Sequence, residues 1–172
     1  MSKPNSGLFK NTKGDRCRRL IPGENGIVTG GNSTKLGKNL LQEMGIAETK
    51  WSGYQAQHII PSQMSSHPVI QKIGMDLDHA SNGMFLKIPG NNISPMSRHK
   101  GFHSVYSDFV REKLNSINIS QDSLTIQQQV RNLQIKLKYL QKIGLPLYAS
   151  EGATLALWRK YYNKLNEGVL YL

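Results

Sequence analysis

From Arg98 to Asn166 apolar residues recur every three or four positions in three successive runs, a period that fits packed helices and not strands. The first run fits a helix from Arg98 to about Ile117, with Ser97 as its cap and Phe102, Val105, Tyr106, Phe109, Val110, Leu114 and Ile117 on its apolar side. The second spans Ser123–Ile143, where Ile126, Val130, Leu133, Leu137 and Leu140 alternate spacings of four and three. The third spans Glu151–Asn166, with Leu155, Trp158, Tyr161, Tyr162 and Leu165 in a stripe. The heptad-like second run is too short for a free coiled coil, so packing onto a central domain is the expected role.

The first half lacks long runs. Residues 1–33 are rich in Gly, Ser, Asn, Lys and Arg, carry Pro4, Pro22 and the pair Gly30-Gly31, and read as linker or irregular lead-in, with a short strand at Ile27 and Val28. Ser33 caps a helix expected over Thr34–Met44, which Gly45 ends. Residues 54–60 and 83–88 are strand candidates closed by Pro61 and by Pro89-Gly90, and residues 67–73 suit a short helix. The expected organisation is a lead-in over 1–33 and a single domain over 34–172, with its centre at 54–118 and further helices over 120–167. Short strands beside longer helices make an α+β chain.

The chain carries 22 Lys/Arg against 11 Asp/Glu, a net charge of +11 with a calculated pI near 9.8. The excess runs throughout: nine cations against four anions in residues 1–50, six against four in 51–118, and seven against three in 119–172. A globular chain of this kind favours a polyanion, because each neutralised phosphate releases counterions. The single cysteine, Cys17, excludes an internal disulfide framework and a structural zinc site of several cysteines. There is no apolar leader run at the N-terminus and no run near the ~18 apolar residues of a membrane span.

All five histidines fall between His58 and His103. Neutral imidazole ligates transition metals and acts as a base near pH 7, so a cluster carries more meaning than a single residue. His99 and His103, four apart on the expected helix, would reach one cation from one face. His58 sits at a strand end followed by Ile59, Ile60 and Pro61, a place that holds an imidazole in one orientation. Asn82, before Gly83, is a turn residue, a pin for the loop that carries His58, or a metal ligand through its carbonyl oxygen. His67 reads as a helix-start or surface residue, and His79 stands next to Asp78 in the loop before Asn82.

The order of strand with His, loop with Asn, and helix with His-x-x-x-His resembles the His-Asn-His and endonuclease VII superfamily of nucleases. Within it the chain looks most like the AHH family, named for Ala-His-His. The similar stretches are YQAQHIIPSQ from Tyr54, HPVIQKIGMDLDHASNGMFLKIP from His67 and SRHKGFHSVYSDFV from Ser97. GGNSTKLGKNLLQEMG before them and, more loosely, GATLALWRKYY after them fit too. The resemblance implies a ββα-metal core, a hairpin plus one helix around one divalent ion (Mg²⁺, Mn²⁺ or Zn²⁺), with additional helices around it. It implies that His58 is the general base, that Asn82 is the central Asn, and that Gln57, His99 and His103 are the metal ligands. Arg98, Lys100 and Arg111 are candidates for holding phosphate, by charge and position.

What the resemblance implies for function is a metal-dependent endonuclease acting on DNA, with RNA the other candidate. It further implies a toxin domain of a larger secreted bacterial toxin, acting in the cytoplasm of the target cell and paired with an immunity protein, expected to be acidic given the charge here. The departure is Gln57, where the family has His. A neutral amide oxygen is a harder and weaker ligand for a zinc-like ion than imidazole. Gln57 is either a natural variant that tolerates Mg²⁺ or Mn²⁺, or a replacement that silences a toxic nuclease. Both imply weaker metal binding. Two other readings stay open: a catalytically inert DNA-binding domain on the nuclease fold, and a module in which the histidines hold metal for structure alone.

Overall fold

The computed structural model describes residues 8–10, 16–47, 50–88 and 103–170. Strands β1 (Leu8–Lys10) and β2 (Arg16–Arg18) form an antiparallel hairpin. Strand β3 (Val28–Thr29) pairs in parallel with β5 (Met75–Asp76). The hairpin that organises the site joins β4 (Tyr54–His58) and β6 (Gly83–Lys87) antiparallel, with His58 opposite Gly83 and Tyr54 opposite Lys87. The helices are α1 (Ser33–Glu43), α2 (Pro68–Ile73), α3 (Ser104–Asn115), α4 (Ser123–Lys142) and α5 (Leu155–Asn166). This is an α+β fold, as the sequence pattern indicates.

Side-chain caps fix where the helices begin. Asn32, Asp122 and Thr154 accept hydrogen bonds from the backbone N–H of Lys35, Thr125 and Leu157, satisfying donors that the first helical turn leaves open. The cap of α1 is therefore Asn32 and not Ser33. The last helix starts at Leu155 and not Glu151, because Gly152 adopts a left-handed conformation (φ +89°) and Thr154 is extended. His103, expected inside a helix starting at Arg98, has non-helical dihedrals (φ −128°, ψ 89°) and stands one residue before α3. Its carbonyl accepts from Ser107 N–H, so it opens the helix instead of lying on its face. Ser97, Arg98, His99, Lys100 and Phe102 lie outside the described residues.

The main core packs α2, α3, α4 and α5 around Trp158, Tyr106 and Phe109, with Ile59 and Ile60 just after β4. A smaller cluster sets Leu36 and Leu40 of α1 on Ala56 and Ala80, so α1 covers the hairpin. Ala56 is small for that reason, and a Cβ on Gly83 would lie 2.7 Å from Leu36.

The stretch expected as lead-in is built into the domain from Arg19 onward. Ile21 is fully buried, Arg19 donates to the carbonyls of Ile73 and Gly74, and β3 pairs with β5.

Helix α4 also carries three buried glutamines, seven residues apart, each tied to a different segment. Gln127 accepts from the N–H of Leu20 and Ile21, Gln134 donates to Asn82, and Gln141 donates to the Tyr106 hydroxyl. Apolar packing alone is non-directional, whereas these bonds fix how α4 docks.

Candidate active site

The end of β4 delivers Gln57 and His58 to a cavity of about 210 Å³, lined also by Gly31, Ser33, Gln63 and His103. His58 is 8% exposed. Its Nε2 lies 2.9 Å from Oδ1 of Asp78, which is completely buried. The same oxygen accepts from the backbone N–H of Gly31 at 2.8 Å and of Asn32 at 2.9 Å. Burial pushes the Asp78 carboxyl up, but the bonds from His58, Gly31 and Asn32 outweigh it and hold the group below its ordinary value. Asp78 is thus a carboxylate at neutral pH. It takes the proton-bearing Nε2 of His58 and leaves Nδ1 as the basic ring nitrogen.

Gly30 makes this arrangement fit. Its φ is +84°, and a Cβ there would stand 2.8 Å from both the carboxyl carbon and the backbone nitrogen of Asp78. A glycine lets the chain cross Asp78 closely enough for the next two amides to bind the carboxylate.

Asn82 is fully buried and uses its whole side chain on the backbone and one glutamine. Its Oδ1 accepts from Ile60 N–H at 2.8 Å and from Gln134 Nε2 at 3.0 Å. Its Nδ2 donates to the carbonyls of Ile60 and Leu77 at 3.1 and 2.9 Å. These bonds clamp the residues just after His58 to the residue just before Asp78. Of the three roles open to Asn82 in the sequence, the geometry is that of the pin. Tyr106 adds to the clamp: burial pushes its phenol well above the ordinary value, so the hydroxyl stays protonated and donates to Ile59 O at 2.6 Å.

On the other side of the cavity, His103 Nε2 lies 3.0 Å from Gln57 Oε1. Burial lowers the His103 imidazole to about 4, with the backbone opposing and His58 adding to the shift, so His103 is neutral at pH 7. The Gln57 amide nitrogen is buried without a hydrogen-bond partner. Here His103 Nε2–H donates to the Gln57 oxygen; with the ring proton on Nδ1 instead, which lies 3.4 Å from Ser107 Oγ, the same nitrogen and the amide oxygen fit a divalent ion as two of its donors. Among the described residues no three His, Cys, Asp or Glu side chains form a metal-binding group, and His99, the third expected ligand, lies outside them.

The structure therefore brings His58, Gln57 and His103 to one cavity with Asn82 behind it. Arg111 is not among the residues lining the cavity; it is exposed on α3 and pairs with Asp108 at 2.7 Å. Arg98 and Lys100 lie outside the described residues. His67 caps α2 by accepting from Val69 N–H, and His79 caps the short turn Ala80–Asn82 by accepting from Ser81 N–H. Asp78, beside His58 in the structure, has no catalytic motif around it in the sequence. Its one signal was its place beside Leu77, four residues before Asn82 in the loop between the two hairpin strands.

No helix among the described residues is long and apolar enough to cross a membrane. No curated protein and no solved structure matches the chain at a significant level. A family model described as a nuclease family of the HNH/ENDO VII superfamily with conserved AHH matches residues 40–143, well over half the chain and all the described cavity residues from Gln55 to His103. With its hairpin, its helix and His58 where they stand, the chain belongs to the AHH nuclease family of the HNH/ENDO VII superfamily.

Proposed function

We propose that the chain is a metal-dependent endonuclease that hydrolyses DNA, the toxin domain of a larger secreted protein that acts in the cytoplasm of a target cell. The observation that carries the chemistry is the His58–Asp78 pair at the cavity wall, 2.9 Å apart. Asp78 holds His58 in the tautomer whose Nδ1 can take a proton from water. That water oxygen then forms the new bond to phosphorus as the bond to the 3′-oxygen breaks, and the leaving oxygen takes a proton from solvent. Asp78 steadies the imidazolium formed, while Asn82 and Tyr106 keep the loop that bears it in register. His103 and Gln57, with His99, would hold the divalent ion. When bound, the ion polarises the phosphate and offsets charge on the leaving oxygen.

Gln57 weakens the ion's site relative to the family's His, so activity of this chain is expected to be low and to favour Mg²⁺ or Mn²⁺ over Zn²⁺. The net charge of +11 supports a nucleic acid and, in the same way, an acidic immunity protein as partners.

Plasmid cleavage with Mg²⁺, Mn²⁺ or Zn²⁺ tests this, comparing the chain, Gln57→His, and Gln57→His combined with His58→Ala. The expected result is faster cutting by Gln57→His and none after His58→Ala. If none of the three cuts with any metal, the nuclease activity is refuted for this chain. The second reading, an inert DNA-binding domain on the nuclease fold, which Gln57 favours, then takes its place.

A further inference from the structure

Helix α4 has a second face that takes no part in the proposed chemistry. Arg131, Ile135, Lys138 and Lys142 follow helical spacing on the side away from the core stripe, and with Ser81, the buried Gln134 and Tyr139, which packs partly on the core, they line a groove of about 280 Å³. Arg131, Lys138 and Lys142 supply three cations; no Asp or Glu lines the groove, and none pairs with these three among the described residues. Lys138 is half-buried, and burial together with Lys142 and Arg131 lowers its ammonium from the ordinary value. Lys138 and Lys142 are four apart, a like-charge pair that destabilises a helix unless an anion lies between them. Arg131 to Lys142 covers about 16 Å of helix axis, more than a single small anion needs. Between the cations lie Tyr139 and the exposed Ile135, so the lining is apolar as well as positive. An extended chain of alternating charge and apolar surface matches that lining.

We propose that this groove binds the phosphodiester backbone of the nucleic-acid substrate at a point separate from the one that is cut. This rests on the reading of the substrate as nucleic acid and adds a second anchoring site to it. The groove is joined to the active site by one side chain. Gln134 lines its floor and donates from Nε2 to Asn82, which clamps Ile60 and Leu77, close to His58 and Asp78. Nucleic acid seated on α4 would therefore bear on the residue that holds the general base.

The test separates binding from cutting. A fluorescein-labelled 20-base-pair DNA duplex is titrated with the full chain in EDTA at several KCl concentrations, and anisotropy gives the salt slope. Each lost phosphate contact lowers the slope of log K against log salt by about 0.9. The triple variant Arg131→Gln, Lys138→Gln, Lys142→Gln should lose at least about 2 from the slope and bind at least about tenfold more weakly near 100 mM salt. It should hydrolyse bis-p-nitrophenyl phosphate, too short to reach the groove, at the unchanged rate. The exposed Lys142→Gln alone should lower the slope by about 0.9 and serves if the triple variant does not fold. His58→Ala should abolish cutting with the slope unchanged, so a failed nuclease reading would leave this result standing. A folded triple variant, or failing that Lys142→Gln, with the slope and affinity of the parent chain would overturn the proposal.

Discussion

The two walls of the cavity are built to different standards. On the His58 wall, Asp78 Oδ1 receives three donors and Asn82 makes four hydrogen bonds, with only Asp78 Oδ2 left without a partner. On the Gln57 wall, the amide has one bond, to His103, and its nitrogen has none. In the proposed function His58 as general base would need one tautomer and one direction before substrate arrives, and its wall is finished by the protein. Gln57 and His103 as ligands would be finished by an ion, and their wall has the looser fit. Substitutions should therefore be costly for structure on the first wall and nearly silent on the second.

The largest expected effect is on catalysis. Asp78→Asn removes the charge that fixes the His58 tautomer, and cleavage should fall by about a hundredfold or more, within the ~10²–10⁴ span of general-base catalysis. Single-turnover cleavage measures this; equal rates would remove Asp78 from the site. Next is stability. Asn82→Ala leaves Ile60 N–H, two carbonyls and the Gln134 amide short of partners, at about 3 kcal/mol, which should lower Tm by roughly 6–12 °C in a thermal melt. Gly30→Ala forces a Cβ against Asp78 at a positive φ and should cost about 1–3 kcal/mol, read from urea unfolding, with cleavage reduced in parallel.

The pH response sharpens the contrast further. The Asp78 carboxyl is held below its ordinary value, so the folded state binds its proton less readily than the unfolded chain. Its stabilisation is full above the usual carboxylate value of about 4 and is lost as pH falls through the lower folded value. Urea midpoints of the chain and of Asp78→Asn should converge only below that pH. The smallest effect is at the other wall: Gln57→His should shift Tm by no more than about 2 °C in EDTA, in keeping with an amide that makes one bond. A large destabilisation there would collapse the distinction between the walls.

The sequence revealed the frame of this site better than its supports. His58 at a strand end and Asn82 before the second strand are local features, and local pattern locates them, whereas His103 is expected within a helix and stands just before one. Asp78 was hidden because an Asp between Gly74 and Gly83 reads as a turn residue, and its amide donors come from Gly31 and Asn32, 47 and 46 residues away. Gly30-Gly31 looked like linker for the same reason: the need for close backbone approach is visible only once Asp78 lies beneath it. The helix periods of α4 and α5 were legible because burial follows them, while the start of α3 was not. Phe102 extends the apolar period, but His103 is non-helical and α3 begins at Ser104. The buried glutamines of α4 were invisible to a hydrophobic pattern, which records them as polar and therefore outward.

Those three glutamines have a consequence in time. The bonds they make span 107, 52 and 35 residues of chain, so none can form until α4 exists. Long-range closures of this kind come late, because loop entropy is spent before the contact forms. The docking of α4, and with it the fourth bond on Asn82, should thus be among the last contacts to form. A chain folded only as far as residue 133 would hold every cavity residue described above, with Asn82 on three of its four bonds.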